Sequence, residues 1–209
     1  MRRHAVSLAG ALIALVLVCV QPVGAAASPD GFIREIGDRA FLSLGEKGIT
    51  DQERDRRFKV LLTEAFDLPR IARFVLGRYW RTATEPEQKE FVDLFEKFVV
   101  QAYSNRFRDL TGKKLHVQQT LAMEENYALV VSEIEIPNQP AVKINWRVQK
   151  KDDNFKIVDV MVEGISMSIT QRDEFAAVIR QSGGKVSASS TLCGRRPPSS
   201  PRPGRERFY

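Results

Sequence analysis

The sequence predicts a single α+β domain, in which an N-terminal layer of about four helices packs on a four-stranded antiparallel sheet and one further helix follows the sheet. Three observations predict this class. Apolar residues recur every three or four positions from residue 30 to residue 107, which indicates amphipathic helices. The period changes to two between residues 115 and 162, as in half-buried strands. Helical spacing returns after Ser168, so helices and strands are segregated along the chain.

The first three helices are delimited by capping residues and glycines. The first helix covers residues 30–44 and ends at Gly45. Thr50, followed three residues later by Glu53, predicts a capping box at the start of the second helix. The third helix is short and opens at Asp67, with a proline in its first turn. Each boundary therefore has a local physical cause in the sequence.

The fourth helix is predicted to be the longest. Thr84 caps it, Pro86 lies in its first turn, and an apolar stripe runs from Phe91 to Phe107 before Gly112 ends the helix. After the sheet, the final helix is predicted to begin with Ser168 as its cap.

The strands are predicted from alternating apolar and polar residues. Alternation is clearest over residues 128–136 and 142–148, and an earlier strand is expected over residues 115–123. Residues 138–140 and 152–154 are rich in Asn, Asp and Pro, so they are predicted to form the turns between the last three strands.

Both ends of the chain differ from the domain between them. Residues 1–27 have a basic start, an apolar stretch ending at Val20 and small residues before Ser28, the layout of a cleaved secretory signal peptide. An uncleaved anchor is the alternative, although the stretch is shorter than the roughly 20 residues of a membrane span. The domain is therefore expected at residues 28–186, in the periplasm. Residues 187–209 lack apolar periodicity and are predicted to be a disordered basic tail.

Charge and residue inventory exclude several classes of function. Of 32 basic and 26 acidic side chains, 25 of each lie between residues 28 and 194, which argues against nucleic-acid binding by the domain. His116 is the only histidine after the predicted signal, so a catalytic triad or a multi-histidine zinc site is excluded. The sequence therefore predicts no enzyme, no metal and no cofactor. Acid/base chemistry on Asp159 or Glu163 remains the alternative.

Two segments of the chain carry a family resemblance. Ile71–Thr84, and Val158–Met167 followed by Gln171–Phe175, resemble the toluene-tolerance, or MlaC, family of periplasmic phospholipid-binding proteins. The resemblance covers roughly residues 29–186. It implies a monomeric carrier that shields the acyl chains of a phospholipid or another membrane lipid between helices and sheet. The implied partners are an outer-membrane lipoprotein complex and an inner-membrane ABC transporter complex. A related branch accompanies hopanoid biosynthesis, so a hopanoid is an alternative cargo.

The resemblance also implies a site with an apolar wall and a cationic rim. The helices would supply Phe74, Val75, Tyr79, Trp80, Phe95, Val99 and Tyr103. The sheet and its end would supply Val130, Ile134, Trp146, Val148, Val160, Val162, Ile165 and Met167. Arg73, Arg78 and Arg81 are predicted to contact a head group or a partner, because a guanidinium binds phosphate through paired hydrogen bonds. Ordinary core positions and a solvated face are the alternative interpretations. Two other functions stay open, a small lipid-modifying enzyme and an adaptor whose groove accepts a partner helix.

Overall fold

The fold follows the predicted order of helices and strands in a computed structural model. The structure describes residues 28–108, 113–124, 126–184 and 186–188. The predicted signal peptide lies outside the described residues, and so does the predicted tail beyond residue 188. Within the described part of the chain, no helix combines the length and the apolarity needed to cross a bilayer.

The described residues form five α-helices, and most of these helices begin at the predicted caps. They are α1 (Pro29–Leu44), α2 (Asp51–Ala65), α3 (Leu68–Leu76), α4 (Glu85–Tyr103) and α5 (Met167–Gln181). Short 3₁₀ helices follow α3 at Gly77–Arg81 and α4 at Ser104–Phe107, so the predicted single helix reaching Phe107 is divided near its end. A third 3₁₀ helix, Val186–Ala188, includes the first two residues of the predicted tail.

Two predicted helix caps differ from the structure. The cap of α5 is Ser166 rather than Ser168, because the Ser166 side chain accepts from the Ile169 amide. At α2, Thr50 accepts from the amide of Glu53, but the Glu53 carboxylate binds arginines instead of closing a capping box. A full capping box forms at α4, where both reciprocal hydrogen bonds of Thr84 and Glu87 are present.

The sheet is antiparallel, as predicted, but has five strands instead of four. They are β1 (Lys114–Ala122), β2 (Tyr127–Ile136), β3 (Gln139–Lys151), β4 (Asn154–Val162) and β5 (Ile165–Ser166), in that spatial order. Sequence periodicity missed β5 because two residues are too few to show a period. Asn138 and Asp152 have positive φ angles of 59° and 55°, which is consistent with the predicted turns at these positions.

Three clusters of buried apolar residues lie in the described part of the chain, and the two larger ones hold the layers together. In the sheet core, Phe32 and Ile33 of α1 pack against Val130, Val148 and Ile157 on one face of the sheet. The helical core joins α3, α4 and α5 around a set of phenylalanines: Phe91, Phe95, Phe98 and Phe175. The Phe175 ring meets those of Phe91 and Phe98 nearly edge-on, with centroids 5.5 and 5.4 Å apart. The α+β prediction, with a helical layer on the sheet, is therefore confirmed.

Candidate functional site

A cavity of about 350 Å³ lies where α3, the start of β2 and the middle of β3 and β4 meet the start of α5. Ligand-binding cavities commonly have volumes from roughly 300 to 1,000 Å³, so this one lies near the lower end of that range. Its walls combine apolar side chains with charged groups. The lining residues are Arg70, Ile71, Phe74, Met123, Glu124, Tyr127, Arg147, Val158, Asp159 and Ser168.

The apolar part of the cavity remains accessible to water. The helical repeat of α3 buries Ile71 in the helical core but leaves Phe74 on the solvent side, where 41% of its surface is exposed. Met123, just after β1, is 47% exposed. Covering large, solvent-exposed apolar side chains with an apolar ligand is favourable, because it removes apolar surface from water.

Two arginines lie in the wall of the cavity. Arg70 donates from Nη1 to Gln149 Oε1 at 2.8 Å, and its Cζ lies 5.4 Å from the centre of the Tyr127 ring. Arg147 is exposed on β3. Neither arginine forms an ion pair with a carboxylate within the described residues. Their remaining N–H groups are therefore available to an anionic ligand.

Asp159 holds the start of α5 against β4. Its carboxylate accepts hydrogen bonds from Ser166 Oγ at 2.6 Å, from the Ser168 amide at 3.1 Å and from the Val160 amide at 2.9 Å. The residue is buried, with 9% of its surface exposed. Glu163 has a φ of 50° and accepts from the Lys143 amide at 2.5 Å. Both carboxylates are thus engaged in binding backbone amides.

The residues predicted to form a pocket wall are divided between the two cores and the surface. Val75 and Phe95 are buried in the helical core, with Tyr79, Trp80 and Val99 packed against it. Val130 and Val148 are buried in the sheet core, with Trp146 and Val160 packed against it. Phe74 lines the 350 Å³ cavity, and Val148 lines a second cavity of about 220 Å³ beside Tyr127 and Phe155.

The remaining predicted wall residues are less deeply buried. Tyr103 is half-buried and accepts from Gln171 Nε2 at 3.2 Å, and burial raises the pKa of its hydroxyl. Ile134, Val162 and Met167 are partly buried, whereas 52% of Ile165 is exposed.

The three arginines predicted for head-group or partner contact lie on the surface near the end of α3. Arg73, Arg78 and Arg81 are exposed, and none of them lines the 350 Å³ cavity. The Arg78 guanidinium donates to Tyr79 Oη at 3.0 Å, with Cζ 5.0 Å from the ring centre.

Sequence reasoning did not select Met123, Tyr127, Arg147 or Val158 as site residues, although all four line the cavity. A signal for this second face does exist in β2. Ala128 and Val130 point to the α1 side, while Tyr127, Leu129 and Val131 alternate with them and are also apolar or aromatic. A strand with two apolar faces indicates that each face is covered, either by another part of the protein or by a ligand.

Comparisons with known proteins agree with one another. A family model described as MlaC protein matches residues 38–189. The toluene tolerance protein Ttg2D of Pseudomonas putida is 23% identical over 106 residues, which are 51% of this chain and 49% of that protein. The match therefore spans about half the length of this curated relative. In fold, the chain is similar to a Ralstonia solanacearum phospholipid-binding protein solved in complex with a phospholipid. The TM-score is 0.71 at 20% identity, over 83% of this chain and 97% of that one.

Proposed function

The chain belongs to the MlaC family, and from this premise we propose that it is a periplasmic carrier that binds a membrane phospholipid by its acyl chains. The observation that carries the proposal is the cavity beside α3. Its solvent-exposed apolar side chains, such as Phe74 and Met123, lie beside Arg70 and Arg147. Neither arginine has a carboxylate partner in the described chain. This combination suits a ligand with an apolar chain and an anionic head.

The affinity in this proposal comes mainly from the acyl chains. Each methylene removed from water contributes about 0.8 kcal/mol, so even a chain that is only partly enclosed gains several kcal/mol. The phosphate would then accept charge-assisted hydrogen bonds from Arg70 and Arg147 at the cavity wall. Similarity to a protein solved with a bound phospholipid supports the same assignment.

The transport step is the finer part of the proposal. We propose that the carrier receives its lipid at one membrane and releases it at the other, between an outer-membrane lipoprotein complex and an inner-membrane ABC transporter complex. Binding in an apolar cavity is passive, so directed transfer needs energy from the partner. A hopanoid is the alternative cargo, and its lack of a phosphate would make the contribution of Arg70 and Arg147 small.

The contacts of the two candidate carboxylates support a carrier over a lipid-modifying enzyme. The Asp159 carboxylate accepts three hydrogen bonds that fix the start of α5, and Glu163 binds the amide of Lys143. A carboxylate already occupied by several donors is a weak general base, because proton transfer would cost those hydrogen bonds.

The deciding experiment is organic extraction and mass spectrometry of the ligand that copurifies with the protein, with lipid phosphorus measured per mole of protein. We expect phospholipid in the wild type and a large loss in Phe74→Asp, because a carboxylate in the cavity wall must be desolvated before acyl chains cover it. Val60→Asp on α2 is the matched control, since Val60 is 42% exposed and Phe74 is 41% exposed.

Three outcomes would contradict the proposal. Purified wild type without any lipid would remove its basis, and a stable protein complex in its place would favour an adaptor. Equal lipid content in folded Phe74→Asp and Val60→Asp would mean that the cavity beside α3 does not hold the chains. Chemical conversion of the lipid that stops in Glu163→Gln would indicate an enzyme.

A further inference from the structure

One solvent-facing surface combines arginines with large apolar side chains. It consists of Arg70, Arg73 and Phe74 on α3 and of Ile169 and Arg172 on α5, and we call it the arginine face. Phe74 and Ile169 expose 41% and 54% of their surface. Arg172 Cζ lies 5.0 Å from the centre of the Phe74 ring, which joins the two helices into one continuous surface.

Positive charge on this face is not neutralised by ion pairs in the described chain. Arg70 binds the amide of Gln149, Arg172 lies over an aromatic ring, and neither these two nor Arg73 has a carboxylate partner. A guanidinium stacked on a ring keeps its in-plane N–H donors for other acceptors.

Nearby carboxylates are too few to reverse the sign of the charge. Four adjoin the face in sequence or line the cavity beside it, on Asp67, Glu124, Asp159 and Asp173. Six arginines lie on the face or beside it, at Arg70, Arg73, Arg78, Arg81, Arg147 and Arg172. The surface is therefore complementary to an anionic one.

We propose that the arginine face docks the protein directly on an anionic phospholipid surface. The arginines would bind lipid phosphates, while Phe74 and Ile169 would enter the boundary between head groups and acyl chains. Single apolar side chains among arginines suit an interface whose polarity changes over roughly 5–10 Å of depth. An acidic protein surface would satisfy the charges, but it would satisfy these two side chains only if it also offered apolar pockets at matching positions.

The position of the face relative to the cavity strengthens the proposal. Arg70 and Phe74 belong both to the face and to the cavity wall. A lipid that leaves the bilayer at this point would enter the cavity without exposing its chains to water, which avoids about 0.8 kcal/mol per methylene. This consequence rests on the proposed lipid-carrier function, whereas docking itself does not.

The test is flotation of the purified full chain with two kinds of vesicle, phosphatidylcholine alone and phosphatidylcholine mixed with phosphatidylglycerol. We expect binding to the anionic vesicles only, and weaker binding at high salt, because salt screens interactions between exposed charges. The double variant Arg73→Ala, Arg172→Ala should lose about fivefold in vesicle partition coefficient for each arginine removed. Ile169→Ser should weaken binding further, and Ile169 is not one of the residues that line the cavity.

A charge-matched control separates this face from the rest of the surface. Lys89 and Lys97 are exposed on α4, which shares the helical core with α3 but presents its own solvent side. Lys89→Ala, Lys97→Ala removes the same charge and is expected to bind anionic vesicles almost as wild type does. Five arginines after residue 194 are retained in every variant, so their attraction to vesicles cancels.

Several results would overturn the docking proposal. They are equal binding to neutral and anionic vesicles, no binding to either, or an equal loss in the two double variants. Retention on immobilised polyglutamate without vesicle binding would instead assign the face to an acidic protein. Lipid content measured on the same samples keeps the two proposals separate. Lipid-free wild type contradicts the carrier, whereas undiminished flotation of the Arg73, Arg172 variant contradicts the docking surface alone.

Discussion

The arginines of α1 and α2 differ from those of α3 and α5 in what they bind. Four of the five arginines on α1 and α2, namely Arg34, Arg39, Arg56 and Arg57, each form an ion pair with a carboxylate. The fifth, Arg54, is buried and donates to the Leu44 carbonyl. On α3 and α5, Arg70 and Arg172 contact aromatic rings instead. The same side chain therefore cross-links one region and leaves its donors open in the other.

The paired region shows how these cross-links work. Arg57 is 26% exposed and donates to the Ser43 carbonyl at 2.9 Å, to Glu53 at 2.7 Å and to Glu46, so it ties the end of α1 to the first turn of α2. Such contacts stabilise the fold but leave few donors for a ligand. An arginine stacked on an aromatic ring contributes less to cross-linking the fold but keeps N–H donors for a ligand. The region beside the cavity is therefore suited to binding.

The largest expected effect is on folding and comes from a charge placed under α1. Val148→Asp puts a carboxylate at a position that is 1% exposed and packed with Phe32 and Ile33. Because an unpaired buried charge costs about 3–5 kcal/mol, we expect the free energy of unfolding in urea to fall by about that amount. Arg147→Ala, the next residue on the other face, should change it by about 0.5 kcal/mol or less. A Val148→Asp protein that stays stable but loses its lipid would place the acyl chains on the α1 side.

A smaller effect should distinguish paired from unpaired arginines directly. Arg57→Met removes hydrogen bonds between α1 and α2, so the melting temperature should fall by a measurable amount. Arg73→Met removes an exposed side chain without an ion pair, and its unfolding free energy should stay within about 0.5 kcal/mol of wild type. Differential scanning calorimetry of the two variants decides this point. Equal decreases in stability for the two variants would mean that the arginines beside the cavity also support the fold.

Acid should weaken the paired region first. Hydrogen bonds from Arg56 and Arg57 lower the pKa of Glu53 from 4.5 to about 2. A lowered pKa means that the contribution to stability is complete above pH 4.5 and is lost as the pH falls towards 2. Glu53→Gln should therefore melt below wild type at pH 7, and the difference in melting temperature should shrink as the pH falls through about 2. A difference in melting temperature between the two proteins that stays constant with pH would show that this ion pair does not support the fold.

The smallest expected effect concerns the basic tail, which lies outside the described residues. Its last 15 residues have no apolar periodicity, so deleting residues 195–209 should change the free energy of unfolding by about 0.5 kcal/mol or less. Lipid content should also remain unchanged. A drop of several degrees in melting temperature would indicate that the tail packs on one of the two regions compared above.

Local signals in the sequence were enough to predict most of the fold. Thr84 and Asp67 cap helices because their side chains satisfy backbone amides a few residues away, and no distant residue takes part. The period of two in β2 and β3 likewise depends only on neighbours along the chain. Where a signal failed, a competing local contact was the cause, as at Glu53, whose carboxylate binds Arg56 and Arg57 on the next turn of α2 rather than the amide of its predicted cap.

The sequence by itself determined the α+β class, the caps of α2, α3 and α4, and the family, because these depend on local spacing and on motifs along the chain. Only the tertiary structure decided which apolar face of β2 meets α1 and which borders the cavity. Period two shows that Val130 and Val131 point to opposite sides, but not which helix covers either side. The ion pairs of Arg57 show the same division, since Glu53 lies four residues before it in the sequence, whereas only folding brings Glu46 within reach.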